Sequence, residues 1–201
     1  MNLLAQFDYE WFKSINDLAI SKSFLNPLMD FLAEGGEYVF YMAVILYWFI
    51  RTPQNRRMVG HALLSACLAL GTNVLLGTFL YRDRPFVTHH VVQLIPHAAN
   101  ASFPSDHAAG AFAIAVSVWL WRKKAGLPLI LLAAGIAFSR IWTGVHYPSD
   151  VVTGMTIGTF SAIAVYKLIC HDGKTSHVMN FFIEQYEKLE HKFWKPKTSR
   201  K

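Results

Sequence analysis

Five apolar stretches recur along the chain, each bounded by short polar or basic runs. They cover about Pro27 to Ile50, Met58 to Tyr81, His107 to Trp121, Gly126 to Trp142 and Val151 to Cys170. A helix that spans a bilayer needs about 20 apolar residues, within a range of about 17 to 25. The first, second and fifth stretches meet that length directly. The third and fourth meet it when their polar ends are counted. The first is interrupted by Glu34-Gly35-Gly36-Glu37, read either as an interfacial break between two helices or as the wall of a site near lipid headgroups. The pattern predicts an all-α integral membrane protein, a bundle of five or six spanning helices, five on the count of apolar stretches.

The chain before these stretches has a different pattern. Leu4, Phe7, Trp11, Ile15 and Leu18 recur at spacings of three and four, while Asp8, Glu10, Lys13 and Asp17 lie off that stripe. This predicts an amphipathic interfacial helix over residues 1–26. It is not a signal peptide, since it lacks a basic start and a clean apolar core. The spanning core is expected over 27–170. Residues 171–201 read as a basic cytoplasmic tail, helical at first.

Composition agrees with the pattern. Hydrophobic residues make up 53% of the 201 and charged residues only 16%, against about 25% charged in soluble domains. Net charge is +6. The surplus sits between and after the apolar runs and forms no binding motif, so a nucleic-acid partner is not expected. Cys67 and Cys170 make neither a CxxC nor a zinc spacing.

Lysine and arginine also orient the chain. Arg51, Arg56 and Arg57 follow the first stretch, Arg122, Lys123 and Lys124 the third, and seven more basic residues from Lys174 to Lys201 the fifth. With five spans these regions share one side, which should be the cytoplasm. The stretches Tyr81 to Asp106 and Thr143 to Asp150 then share the outer face, flanked by membrane lipid. Trp119, Trp121 and Trp142 read as an interfacial aromatic belt.

Three clusters in those outer stretches carry chemistry. Arg82-Asp83-Arg84-Pro85 is either a snorkelling charge cluster or an anion clamp, since the planar guanidinium suits phosphate oxygens. Phe103-Pro104-Ser105-Asp106-His107 opens the third stretch. Ser105 or Asp106 fits an ordinary helix cap, and the same helix start offers free N–H groups to phosphate. A histidine at that position is poorly explained as structure, because the helix dipole disfavours its charged form. The third cluster runs from Ser139-Arg140 to His146-Tyr147-Pro148-Ser149-Asp150. An arginine near the end of a span is a functional-site hypothesis by default. His146 and Asp150 are four apart, so Asp150 is placed to accept from His146 and set its tautomer. His89, His90 and His97 share the outer loop, where a metal site is the lesser alternative. Two histidines, two or three arginines, a hydroxyl and a helix start suit phosphoryl transfer by positioning and charge.

These motifs, in this order, resemble the type 2 phosphatidic acid phosphatase superfamily, whose pattern is K-x6-RP, PSGH and SR-x5-H-x3-D. Gly77 stands where the first lysine falls, with Arg82 a candidate for its charge, and Asp106 stands in place of the PSGH glycine. The PSDH variant in a short chain is similar to the bacitracin-resistance branch of bacterial undecaprenyl pyrophosphate phosphatases. The resemblance implies His146 as nucleophile forming a phosphohistidine, Asp150 as its orienting partner and His107 as general acid, then base. It assigns Arg84, Arg140 and Ser105 to the phosphate, with Arg82 as a further candidate and Asp106 as either a contact to the second phosphate or a plain helix cap. Glu34 and Glu37 are candidate headgroup contacts from their place in the first stretch, not from the resemblance. It implies no metal and no cofactor. The expected substrate is an isoprenoid lipid pyrophosphate, handled at the extracytoplasmic face of a bacterial cell membrane. The alternatives are phosphatidic acid, phosphatidylglycerol phosphate or diacylglycerol pyrophosphate, or a non-enzymatic lipid-anion binder or transporter.

Overall fold

Capping residues and proline set the helix starts. Thr52 accepts a hydrogen bond from the Asn55 N–H at 3.2 Å and Pro53 follows it, opening α5 (Pro53–Phe79). Ser105 caps α7 (Asp106–Trp121) in the same way. Pro148 opens α9 (Pro148–His171), and α8 (Lys123–Trp142) precedes it. The computed structural model describes residues 3–171 and 173–193, and no strand occurs among them. The other helices are α1 (Leu3–Asn16), α2 (Leu18–Ser21), α3 (Asn26–Asp30), α4 (Gly36–Phe49), α6 (Pro85–Thr88) and α10 (Gly173–Phe193).

The first apolar stretch is not broken at Glu34–Glu37. A π turn over Phe31–Gly35 joins α3 to α4, so helical backbone continues from Asn26 to Phe49. Among the described residues, three helices rather than five are long and apolar enough on their own to cross a membrane: α5, α8 and Pro148–Leu168 of α9. The reason is local. Helix α7 stops after 16 residues, about 24 Å at 1.5 Å per residue, and in the continuous first stretch the regular α-helix beyond the π turn, Gly36–Phe49, has only 14 residues.

Helix α7 is the central element. Ala108, Ala109, Ala111, Ala113 and Ala115 are all buried along it. These small residues let α9 approach. A Cβ added to Gly154 would lie 2.4 Å from the Ser105 carbonyl oxygen, and one added to Gly158 would lie 2.2 Å from that of Ala109. Two glycines four apart thus seat α9 against α7 backbone to backbone. Asp150 lies one turn before Gly154, and its carbonyl accepts from the Ser105 N–H at 3.1 Å. Close packing of small residues is what brings the second and third motifs together.

Side-chain polarity is distributed as in a lipid-facing protein. On α5 the buried face carries Asn55, His61, Ser65, Ala69 and Asn73, while Leu64, Leu68, Leu75 and Phe79 are exposed. The predicted stripe of α1 behaves alike: Leu4, Phe7 and Trp11 are exposed, and Phe12 and Asn16 pack inward. Asn16 donates to the carbonyls of Val92 and Trp142, both at 2.8 Å, and accepts from the Val92 N–H at 2.9 Å. Trp142 is buried and donates to Asn26 at 2.9 Å, so it is not part of an interfacial belt.

At the opposite end Arg56 pairs with Glu187 at 2.6 Å and with Glu190, and Arg51 pairs with Glu190 at 2.9 Å. Helix α10 is therefore docked on the start of α5. Lys195, Lys197, Arg200 and Lys201 of the expected tail lie outside the described residues.

Candidate active site

The turn between α8 and α9 places the buried histidine. Gly144 has φ +83°, and a Cβ there would lie 2.6 Å from the Val92 carbonyl oxygen, so only glycine fits. The chain folds back until the N–H groups of Val145 and His146 both reach the Arg140 carbonyl at 3.2 Å. His146 is 2% exposed. Its Nε2 lies 3.0 Å from Arg84 Nη1. A guanidinium only donates, so Nε2 is the acceptor and the ring proton sits on Nδ1. Burial holds this imidazole down to about 4, with Asp150 opposing that shift and Arg84 adding to it. The ring is neutral near pH 7, with the Nε2 lone pair directed at the arginine.

Asp150 is fully buried, and its Oδ2 lies 3.6 Å from His146 Nδ1, longer than a hydrogen bond. A serine the motifs do not mark fills the gap. Ser102 Oγ donates to Asp150 Oδ2 and lies 3.5 Å from His146 Nδ1. The same carboxylate accepts from the Tyr147 N–H at 2.9 Å and from Arg82 Nη1 at 3.0 Å. The direct Asp150–His146 bond expected from the i, i+4 spacing is thus a looser contact, shared with Ser102.

The two motif arginines differ in how they are held. Arg84 donates Nε to Asn100 Oδ1 at 2.9 Å, Nη2 to the Ala101 carbonyl at 3.1 Å and Nη1 to that of Val145 at 3.0 Å. Arg140 is 2% exposed and donates Nη1 to the Ala33 carbonyl at 2.8 Å. Ala33 belongs to the π turn, so that irregularity directs a backbone acceptor at the arginine. Nε and Nη2 of Arg140 are buried without a hydrogen-bond partner among the described residues. A buried guanidinium with two unanswered donor nitrogens is costly unless an anion completes it.

Ser105 is fully buried and caps α7, its Oγ accepting from the Ala108 N–H at 3.5 Å. Asp106 is exposed and accepts from Asn73 Nδ2 at 2.9 Å. His107 Nε2 lies 3.7 Å from Glu37 Oε2. Glu37 is therefore brought to the site, whereas Glu34 is exposed on the π turn. Beside them lies a cavity of about 530 Å³ lined by Phe40, Val44, Leu63, Leu70, Ile114 and Ile136, with Glu37, Asp106 and His107 also on its wall.

Arg82 is not where the sequence puts it. Its donors go to Asp8 at 2.7 Å, Ser149 at 2.8 Å and Asp150 at 3.0 Å, and its guanidinium stacks 3.6 Å from the Tyr147 ring centroid. It lies behind Asp150 as an internal tie, with its fork committed to protein acceptors. A side chain at Gly77 would begin 3.2 Å from the Phe103 carbonyl oxygen, so that position faces the segment leading into α7. His97 lies close by, its ring 6.3 Å from that of His146. Burial lowers its pKa, with Arg84 and Arg140 adding to the effect. Among the described residues no group of three His, Cys, Asp or Glu side chains is placed to hold a metal ion.

Ser102, Asn100 and Asp8 escaped sequence reasoning. None stands in a spacing that separates it from an ordinary loop or surface residue. Tyr147 and Ser149 lie inside the third cluster, beside His146 and Asp150 in the sequence.

Comparison with known proteins adds an independent line. The model of the PAP2 superfamily matches residues 58–171. The bacitracin transport permease protein BcrC of Bacillus licheniformis is 38% identical over 163 residues, 81% of this chain and 80% of that one. The undecaprenyl-diphosphatase BcrC of Bacillus subtilis strain 168 is 38% identical over 150 residues, 75% of this chain and 78% of that one. The crystal structure of Aquifex aeolicus LpxE superposes with a TM-score of 0.70 at 30% identity, covering 79% of this chain and 94% of that one.

Proposed function

The chain belongs to the PAP2 superfamily, and we propose that it is a membrane phosphatase that hydrolyses undecaprenyl pyrophosphate to undecaprenyl phosphate and inorganic phosphate, recycling a cell-wall carrier lipid. The observation that carries this reading is the buried Arg140 with Nε and Nη2 unpaired, in a site where Arg84 sits 3.0 Å from the nucleophilic nitrogen of His146. An incoming phosphate group answers both features. Its oxygens take the free donors of Arg140, draw Arg84 away from Nε2, and meet the N–H groups at the start of α7 beside Ser105.

The terminal phosphorus then faces the His146 lone pair. The Nε2–P bond forms as the bond from phosphorus to the bridging oxygen breaks. His107 gives its proton to the departing lipid phosphate, and Glu37 orients that ring. Asp150 and Ser102 stabilise the positive charge that develops on His146. Water next yields a proton to His107 and attacks phosphorus, the N–P bond breaks, and inorganic phosphate leaves. The two arginines and the helix start supply the positive charge for this chemistry, so no divalent cation is required.

Relatives named undecaprenyl-diphosphatase and the apolar cavity beside His107 support the isoprenoid substrate. The cavity takes the first part of the prenyl chain, and the bilayer takes the rest. The rod from Asn26 to Phe49 together with α5, α7, α8 and α9 makes five spans. Basic residues at the end opposite the site support an active site on the extracytoplasmic face of a bacterial cell membrane. Helix α1 lies along that outer interface, the core follows, and α10 leads the tail on the cytoplasmic side.

The test is a panel of lipid phosphates offered to the purified protein with chelator present. Release of phosphate from undecaprenyl pyrophosphate at the highest kcat/KM is expected. Preference for phosphatidic acid, phosphatidylglycerol phosphate or diacylglycerol pyrophosphate would move the substrate, and binding without release would make the protein an anion binder. Magnesium-dependent turnover would overturn the metal-free mechanism. For topology, Ser176→Cys should resist an impermeant thiol reagent in intact cells.

A further inference from the structure

The amphipathic helix α1 does more than lie on the bundle, because it sends one carboxylate into the site. Asp8 is only 12% exposed, and its Oδ2 accepts from Arg82 Nη2 at 2.7 Å. The same carboxylate accepts from the Ser149 N–H at 2.9 Å and from the Ser149 hydroxyl. Ser149 is the second residue of α9, where backbone N–H groups have no partner within the helix. Asp8 therefore caps α9 from another helix, with its charge at the favourable end of the dipole.

One turn of α9 carries both this cap and Asp150. Arg82 joins them, donating to Asp8, to Ser149 at 2.8 Å and to Asp150 Oδ1 at 3.0 Å while resting on the Tyr147 ring. We infer that Asp8 is a positioning residue for the reaction: it fixes Arg82 and the first turn of α9, and through them holds Asp150 against Ser102 and His146. The inference rests on the reading that Asp150 orients a nucleophilic His146. Membrane seating alone does not call for Asp8, since Leu4, Phe7 and Trp11 form the exposed apolar stripe of α1. Without the Asp8 charge, Arg82 has a single carboxylate left and draws on Asp150 at the expense of His146.

The experiment uses the full-length protein and phosphate release from undecaprenyl pyrophosphate. Asp8→Asn should lower kcat roughly 10- to 100-fold, the range for removing a partner that orients a reactive group, with KM changed less than about two-fold. Asp8→Glu should restore most of the rate, and Glu10→Gln on the same helix should leave it unchanged. Unaltered kcat in Asp8→Asn, or a rise in KM alone, overturns the inference. If Asp8→Asn does not fold, Ser149→Ala replaces it: a several-fold fall in kcat is expected, and an unchanged kcat overturns. A wild-type protein without turnover would instead sink the proposed function. Nitrogen-15 NMR of His146 then still decides the point, with a single Nδ1–H tautomer expected in wild type and a mixture in Asp8→Asn. Identical spectra overturn the inference.

Discussion

Arg84 donates to the nitrogen of His146 that would attack phosphorus, at 3.0 Å. In this arrangement a cation covers the lone pair of the proposed nucleophile. An anionic group is expected to open it by competing for the guanidinium. A neutral ligand of the same shape has no such lever.

The neutral state of His146 has a measurable consequence for pH. Burial lowers its pKa from 6.5 to about 4. The acid limb of the kcat/KM profile, which reports the free enzyme, should fall near pH 4 and not near 6.5. A midpoint near 6.5 would show that the ring is solvated before substrate binds. Stability follows the same sign. The unfolded chain takes up a proton below about 6.5 that the folded ring refuses, so this contribution is full above 6.5 and is lost as pH falls toward 4.

The two histidines should separate by leaving group. His146→Ala removes the proposed nucleophile and should abolish turnover of every substrate. His107→Ala removes a proton donor, which matters most when the leaving oxygen is a basic alkoxide, as in a lipid phosphomonoester. A pyrophosphate leaves as a phosphate and needs less help. General acid catalysis is worth about 100- to 10,000-fold, so His107→Ala should cost a monoester far more than a pyrophosphate. Equal single-turnover losses on both would refute the assignment.

Arg140→Met should lower kcat/KM about 100- to 1,000-fold, the range for deleting one group that stabilises transition-state charge. Its thermal midpoint should hold or rise, because the variant removes a buried charge that lacks full pairing. Inorganic vanadate should stabilise the wild type and not the variant. Loss of folding together with activity would mean that Arg140 serves chiefly as a tie to Ala33.

Ser102→Ala takes one donor from Asp150 and the hydroxyl from beside His146 Nδ1. The expected result is a fall in kcat of roughly 10- to 100-fold with KM little changed. Full activity would show that Asp150 orients the imidazole unaided.

What the chain reveals by itself is what short-range order controls. The apolar stretches, the cap at Ser105, the proline at the start of α9 and the spacing of Arg140, His146 and Asp150 are all read within short continuous runs of sequence. Backbone geometry fixes where those side chains can point. The charge of Arg82 was legible too, but its direction was not, since Asp8, the partner that claims it, is 74 positions away in the chain. Tertiary packing alone decided that Ser102 would stand beside Asp150, that Glu37 would reach His107, and that a π turn would offer the Ala33 carbonyl to Arg140. Each contact depends on how closely helices distant in sequence approach one another. That approach is set by the small residues between them, above all Gly154 and Gly158 against α7. A local pattern encodes the shape of each helix surface. It does not encode which distant surface will fill it.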